Sequence, residues 1–148
     1  MSPEQPSDRI RTVALDFEGV LVSNALSLFI RDGVRELLEG LRTLRLDVVI
    51  YSSAPPHALG AAIDLLISDG AAPSWYGELP RVYAADGVKD LTRIRREWHT
   101  ILLVDDQERG VVPIQRDQWI RVKEWEMPYD PDGELLRVLE CVEARVGG

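Results

Sequence analysis

The stretch Val13-Ala14-Leu15-Asp16-Phe17-Glu18-Gly19-Val20-Leu21 decides the fold, because in it an apolar strand runs straight into two carboxylates and a glycine. Thr12 to Leu15 are apolar or β-branched, the short continuous run expected of a buried strand. Gly19 permits a tight turn, since it adopts backbone conformations that other residues resist. Asp16 is thereby left at the carboxyl end of the strand, the end at which open α/β sheets bind their ligands.

Downstream, Val20 to Ile30 mixes apolar residues with Ser23, Asn24 and Ser27, too short for a domain but long enough for a flap over the site. Val34, Leu37, Leu38, Leu41 and Leu44 then form a stripe at helical spacing, with Asp32 as the expected N-cap. Asp47 to Tyr51 reads as a second buried strand ending in Ser52-Ser53-Ala54-Pro55-Pro56, and Pro56 suits the first turn of a helix reaching about Ile67. Ala71 to Leu79 reads as a loop or short hairpin, and Arg81 to Ala84 as a brief third strand. Lys89 to Trp98 reads as a helix with Leu91 and Ile94 inward, and Thr100 to Val104 as a fourth strand running into Asp105-Asp106. Trp119 to Val122 gives a weaker fifth strand, and Gly133 to Val146 a closing helix with Leu135, Leu136, Val138, Leu139 and Val142 available for burial. Strands alternating with helices at this spacing predict a mostly parallel, doubly wound sheet in a single domain over residues 9–148. Such a topology gathers Asp16, Ser52, Lys89 and Asp105 although they lie far apart in sequence.

Composition limits the function classes. The chain has 148 residues, 45% of them hydrophobic, which fits one domain with a proper core. A formal charge of −8 argues against general affinity for nucleic acid or anionic membrane. Cys141 is the single cysteine, so an internal disulfide and a cysteine-rich zinc site are both excluded. Met1 to Asp8 is polar with two prolines and lacks the basic start and apolar run of a signal peptide, so a flexible tail over residues 1–8 is expected. No apolar run approaches the ~20 residues that span a bilayer. The expectation is a soluble, cytoplasmic protein with no membrane partner.

The order Asp-x-Glu, Ser, Lys, Asp-Asp resembles the four motifs of the haloacid dehalogenase (HAD) superfamily of aspartyl-phosphate phosphatases. Four runs look like the NLI-interacting-factor-like, or CTD small phosphatase, group: Arg31-Asp32-Gly33-Val34-Arg35-Glu36-Leu37-Leu38, Val48-Val49-Ile50-Tyr51-Ser52-Ser53, Val88-Lys89-Asp90-Leu91 and Leu103-Val104-Asp105-Asp106. Tyr129-Asp130-Pro131-Asp132-Gly133-Glu134-Leu135-Leu136 is similar to the acidic lead into that group's last helix. The resemblance implies a Rossmannoid three-layer α/β/α fold around a mostly parallel five-stranded sheet.

It also implies the chemistry. A phosphate monoester is anionic and resists a carboxylate nucleophile, so Asp16 needs charge neutralisation that Mg²⁺ supplies. Mg²⁺ takes oxygen ligands and keeps several waters, which fits Asp16, the backbone carbonyl of Glu18 and Asp105, with Asp106 as an outer partner. Ser52, Ser53 and Lys89 are the implied phosphate-binding groups. Glu18 stands where the family has a second aspartate that protonates the leaving oxygen and later activates water. The extra methylene moves its carboxyl group by roughly an ångström, a displacement able to cost about a hundredfold in rate.

Only thirty-six residues separate Ser52 from Lys89, so no cap domain fits there and the site is expected to be open. In this superfamily such openness implies macromolecular substrates, and the leading expectation is a phosphoserine or phosphothreonine phosphatase acting on protein. Arg81, Arg93, Arg95 and Arg96 near Lys89 favour the alternative of nucleic-acid ends or nucleotides, against the overall acidity. A non-catalytic binding domain is the reading outside enzymology. Taken singly, each residue also has an ordinary role: Ser53 can cap the next helix, Lys89 can be a solvated first-turn residue, Asp105 can cap a loop. Trp75, Trp98, Trp119 and Trp125 are expected to pack in the core or at its edge, with Trp75-Tyr76 kept as the pair that has an alternative claim to face a substrate.

Overall fold

A computed structural model of the chain describes residues 9–147. The expected tail over residues 1–8 lies outside the described residues. Five strands, β1 (Thr12–Leu15), β2 (Asp47–Ser52), β3 (Arg81–Tyr83), β4 (Ile101–Asp105) and β5 (Trp119–Arg121), form one sheet in the order β3-β2-β1-β4-β5, and every pairing is parallel. Leu15 lies opposite Ile50 on one side and Val104 on the other, so Asp16 and Asp105 leave the sheet at one level. Side chains alternate along a strand, and Asp16 and Asp105 therefore share a face with Ala14 and Leu103.

The two faces are covered differently. Three α-helices, α1 (Val34–Thr43), α2 (Pro56–Ser68) and α3 (Glu134–Gly147), pack the larger core, in which Val13, Leu15 and Phe17 of the first strand region meet Leu37, Leu41, Leu59, Ile63, Leu135 and Val138. The opposite face carries Ala14, Tyr51, Ala84, Leu91, Ile101 and Leu103, closed by Ile94, Trp98, Val111 and Trp119. Short 3₁₀ turns build that third layer, at Leu91–Arg93, Trp98–Thr100, Glu108–Gly110 and Pro113–Gln118.

The helix expected over 89–98 is thus a correction. Leu91 and Ile94 do point inward, but the segment makes only a single 3₁₀ turn at Leu91–Arg93, pinned by side chains at its start. Gln115 Oε1 accepts the Leu91 N–H (3.0 Å), the Asp90 carboxylate accepts the Thr92 N–H (3.0 Å), and the Asp90 carbonyl accepts the Tyr51 hydroxyl (2.8 Å). Asp32 does not cap α1: the chain enters through Gly33 at φ 94°, with no side-chain cap. Leu136 stays half exposed while Leu135, Val138 and Val142 are buried. The 71–79 segment is a 3₁₀ turn at Ser74–Glu78 rather than a hairpin.

The flap over residues 20–30 holds its own shape. Ser23 N–H donates to the Phe29 carbonyl (2.9 Å) and Arg31 N–H to the Leu21 carbonyl (2.9 Å), while Asn24 Oδ1 accepts from the amides of Leu26 and Ser27. Phe29 stacks on Tyr129, and Tyr129 leans on Trp125, each pair with ring centroids 5.1 Å apart. Among the described residues no helix is long and apolar enough to cross a membrane.

Candidate active site

The parallel register delivers Asp16 and Asp105 to one rim, and the segment covering that face brings in Lys89. Lys89 Nζ lies 3.2 Å from Asp16 Oδ1 and 2.5 Å from Asp105 Oδ2, with all three side chains almost completely buried. Its backbone N–H is fixed by the Gly110 carbonyl at 2.8 Å, where a Cβ on Gly110 would press into the Gly87 carbonyl. Three carboxylates, Asp16, Asp105 and Asp106, each offer an oxygen within 4.8 Å of the others. Asp106 Oδ1 is buried without a protein partner.

Burial raises the Asp16 pKa well above its ordinary value; Lys89 opposes the shift and the neighbouring Asp105 and Asp106 add to it. Asp106 is raised by burial too, with Gln107 opposing and Asp105 reinforcing. For Lys89, burial disfavours the charge, but attraction to Asp16 and Asp105 together with their hydrogen bonds outweighs it and lifts its pKa. Crowded hard oxygen donors, one of them orphaned, beside a single lysine are the donor set that a small divalent cation such as Mg²⁺ takes.

Glu18 lines the same cleft, and its Oε2 accepts the Ala25 N–H of the flap at 2.8 Å, so flap backbone sets the position of this carboxyl group. Gly19, at φ 78°, lies so close to Asp106 that a Cβ there would collide with the Asp106 carboxylate. The two serines, both expected at the phosphate, face different ways. Ser52 is buried and its Oγ accepts the Ala54 N–H (3.0 Å), shaping the turn into α2. Ser53 caps nothing and lines the cleft instead. The cleft has a volume of about 270 Å³ and is also bordered by Ser23, Asn24, Gln107, Arg109 and Glu124.

Sequence reasoning missed Arg31. Its side chain is fully buried, donates to the carbonyls of Gly19, Val20 and Lys123, and grips Asp132 with Nε and Nη2 at 3.2 and 3.0 Å. This one residue ties the turn after Asp16 to the loop ahead of α3. Both partners lie in the runs that carry the family resemblance, which is the one signal the sequence offers for it. Neither residue of the Trp75-Tyr76 pair borders the cleft: Tyr76 is fully buried in the larger core, and Trp75 packs against that core under Arg42, among residues at the amino ends of β1 and β2.

Fold and rim together define an α/β protein with a carboxylate-lysine centre at the carboxyl ends of a parallel sheet. The chain belongs to the NLI interacting factor-like phosphatase family, the match covering residues 2–147. Its fold is similar to that of a protein from Legionella pneumophila assigned to the HAD superfamily (subfamily III A) hydrolases, with a TM-score of 0.53 and 13% identity over 95% of this chain and 86% of that one. No curated protein sequence matches the chain.

Proposed function

We propose that the chain is a Mg²⁺-dependent phosphomonoesterase working through an aspartyl phosphate on Asp16, with phosphoserine or phosphothreonine of a protein as substrate. The observation that carries the reading is the buried triad of Asp16, Asp105 and Lys89 beside the orphaned Asp106 oxygen. Asp16 and Asp105, with the Glu18 carbonyl, would hold the metal, joined by Asp106, expected from sequence only as an outer partner but carrying an orphaned oxygen in the same cluster; the metal when bound neutralises phosphate charge and lets an anionic nucleophile approach.

In the first step an Asp16 oxygen forms a bond to phosphorus, the ester P–O bond breaks, and Glu18 gives its proton to the leaving alkoxide. In the second, Glu18 takes a proton from water, the water oxygen attacks phosphorus, and the Asp16 carboxylate and inorganic phosphate are released. Lys89 keeps a fixed positive charge against Asp16 and the transferring oxygens, and Ser53, with the donor hydroxyl of Ser52 behind it, offers a neutral donor. The hydrogen bond from Ala25 gives the longer Glu18 side chain a fixed anchor, so flap and proton donor act together.

The nucleic-acid reading finds little support in the four arginines that suggested it. Arg93 is paired with Asp86, Arg95 donates to the hydroxyls of Thr100 and Thr12, Arg81 donates to the Gly77 carbonyl, and none of the four borders the cleft. Assays on phosphopeptides and 5′- and 3′-phosphorylated oligonucleotides, with Mg²⁺ and with EDTA, test the proposal. Metal-dependent release of phosphate from the peptides is expected; hydrolysis of the oligonucleotides alone, or of nothing, overturns it.

A further inference from the structure

The cleft is unevenly charged, and one of its cations has no structural task. Five carboxylates border it, Asp16, Glu18, Asp105, Asp106 and Glu124, against two cations, Lys89 and Arg109. Lys89 is committed to Asp16 and Asp105. Arg109 stands exposed in the short turn Glu108–Gly110 after β4 and has no hydrogen bond or ion pair among the described residues, whereas its neighbour Glu108 is engaged by Arg116. A second cleft of about 540 Å³ shares Asp106 and Glu124 with the first and is bordered also by Glu134 and by Arg121, Lys123 and Arg137; Arg137 is held by Glu134 and Arg121 faces Glu108 at 3.9 Å, whereas Lys123 has no side-chain ion pair among the described residues. Arg109 and Lys123 are thus the cations left without a carboxylate partner among the described residues on the β5 side of the centre, although the whole chain carries a formal charge of −8.

We infer that Arg109, with Lys123 beyond it, forms a subsite for a second anionic group, selecting phosphopeptides whose phosphoresidue is flanked by an acidic residue or another phosphate. The inference rests on the phosphoprotein reading above. A guanidinium presents a planar fork of donors that matches a carboxylate or phosphate two bonds at a time, and among the described residues no acceptor competes for this one. Glu124, on the border common to both clefts, opposes the same anion. The two residues therefore set the affinity for an acidic flank with opposite signs. A peptide fits better than a polynucleotide because the positive groups are few and interrupted by Glu124, where a regularly charged backbone needs an unbroken track.

The test compares kcat/KM for three phosphoserine peptides of equal length, with neutral flanks, with flanking Asp, and with a second phosphoserine, alongside a 5′-phosphorylated oligonucleotide. The wild type should favour the Asp-flanked and doubly phosphorylated peptides over the neutral one by about tenfold, the scale of one charge-assisted contact, and added salt should shrink the preference. Arg109→Ala should bring the acidic-to-neutral ratio close to one, mainly through KM. Glu124→Gln should enlarge the ratio. Arg145→Gln makes the same charge change among residues at the amino ends of the strands and should preserve the ratio. Equal wild-type rates on acidic and neutral peptides, or an unchanged ratio in Arg109→Ala, overturn the subsite while turnover of the neutral peptide keeps the phosphoprotein reading. Absence of turnover on every peptide, or preference for the oligonucleotide, overturns both.

Discussion

Replacing Asp16 by Asn should stabilise the metal-free protein while removing its capacity to bind metal. In the metal-free state, oxygens of Asp105 and Asp106 lie within 4.8 Å of an Asp16 oxygen. At an effective dielectric of about 20, each fully charged pair at that separation repels by roughly 3.5 kcal/mol. Lys89 at 3.2 Å returns roughly 5 kcal/mol of attraction. About 2 kcal/mol of repulsion is left, to which burial of the charge adds. An amide at position 16 removes the charge and keeps the shape, so Asp16→Asn should melt about 4–8 °C above wild type in EDTA at pH 8.

The pH dependence has a definite sign. The folded-state pKa of Asp16 lies above its unfolded value near 3.8, so the native state binds the extra proton and this group's contribution to stability falls as pH rises from that value through the raised one. The melting advantage of Asp16→Asn should grow over that range. Mg²⁺ should reverse the ranking, because a ligand at one hundred times its Kd adds about 2.7 kcal/mol to the form that binds it. Thermal melts by circular dichroism, with and without Mg²⁺, read all of this. A variant that melts below wild type in EDTA, or gains as much from Mg²⁺ as wild type does, refutes the crowded-carboxylate argument.

Three further outcomes follow from the same geometry. Glu18→Gln should slow a phosphoserine peptide far more than an aryl phosphate, whose phenolate leaves without a proton, and Glu18→Asp should raise kcat on the aryl ester; equal peptide rates for wild type and both variants would remove Glu18 as proton donor. Asp132→Asn deprives the buried Arg31 of its ionic partner and should cost about 3 kcal/mol in urea unfolding; a change below about 0.5 kcal/mol would show that the carbonyls of Gly19, Val20 and Lys123 suffice. Gly19→Ala drives a methyl group into Asp106 and strains a left-handed turn, and should weaken Mg²⁺ binding by about tenfold or more in calorimetric titration; unaltered binding would place Asp106 outside the metal's ligands.

The three central strands, β1, β2 and β4, were legible because each is a short apolar run with an abrupt stop: the turn at Gly19, Ser52 to Pro56, and Asp105-Asp106. Parallel register then converts motif order into proximity, which is why Asp16, Lys89 and Asp105 could be grouped from sequence. The third layer was opaque for a physical reason. Leu91, Ile94 and Trp98 have helical spacing, yet side chains far along the chain, Gln115 at the Leu91 N–H and Tyr51 at the Asp90 carbonyl, hold the segment at a single 3₁₀ turn. The roles of Ser52 and Ser53 were equally hidden, since neighbouring hydroxyls differ only in which way each faces at the end of β2. Arg31 and Asp132 meet across 101 residues, and nothing local to either announces the other. The Ala25 anchor of Glu18 is a backbone donor, invisible to residue type.

The most direct test of the account is to trap the covalent intermediate. During turnover of a phosphoserine peptide with Mg²⁺, an acid quench followed by borohydride should reduce an acyl phosphate at position 16 to homoserine, found by peptide mass spectrometry. With an aryl phosphate, whose first step needs no proton, the modification should increase in Glu18→Gln, where the second step lacks its base, and it should vanish without substrate. Steady hydrolysis with Asp16 recovered unmodified in both proteins, and with Asp16→Asn still active at the wild-type rate, would contradict covalent catalysis at Asp16.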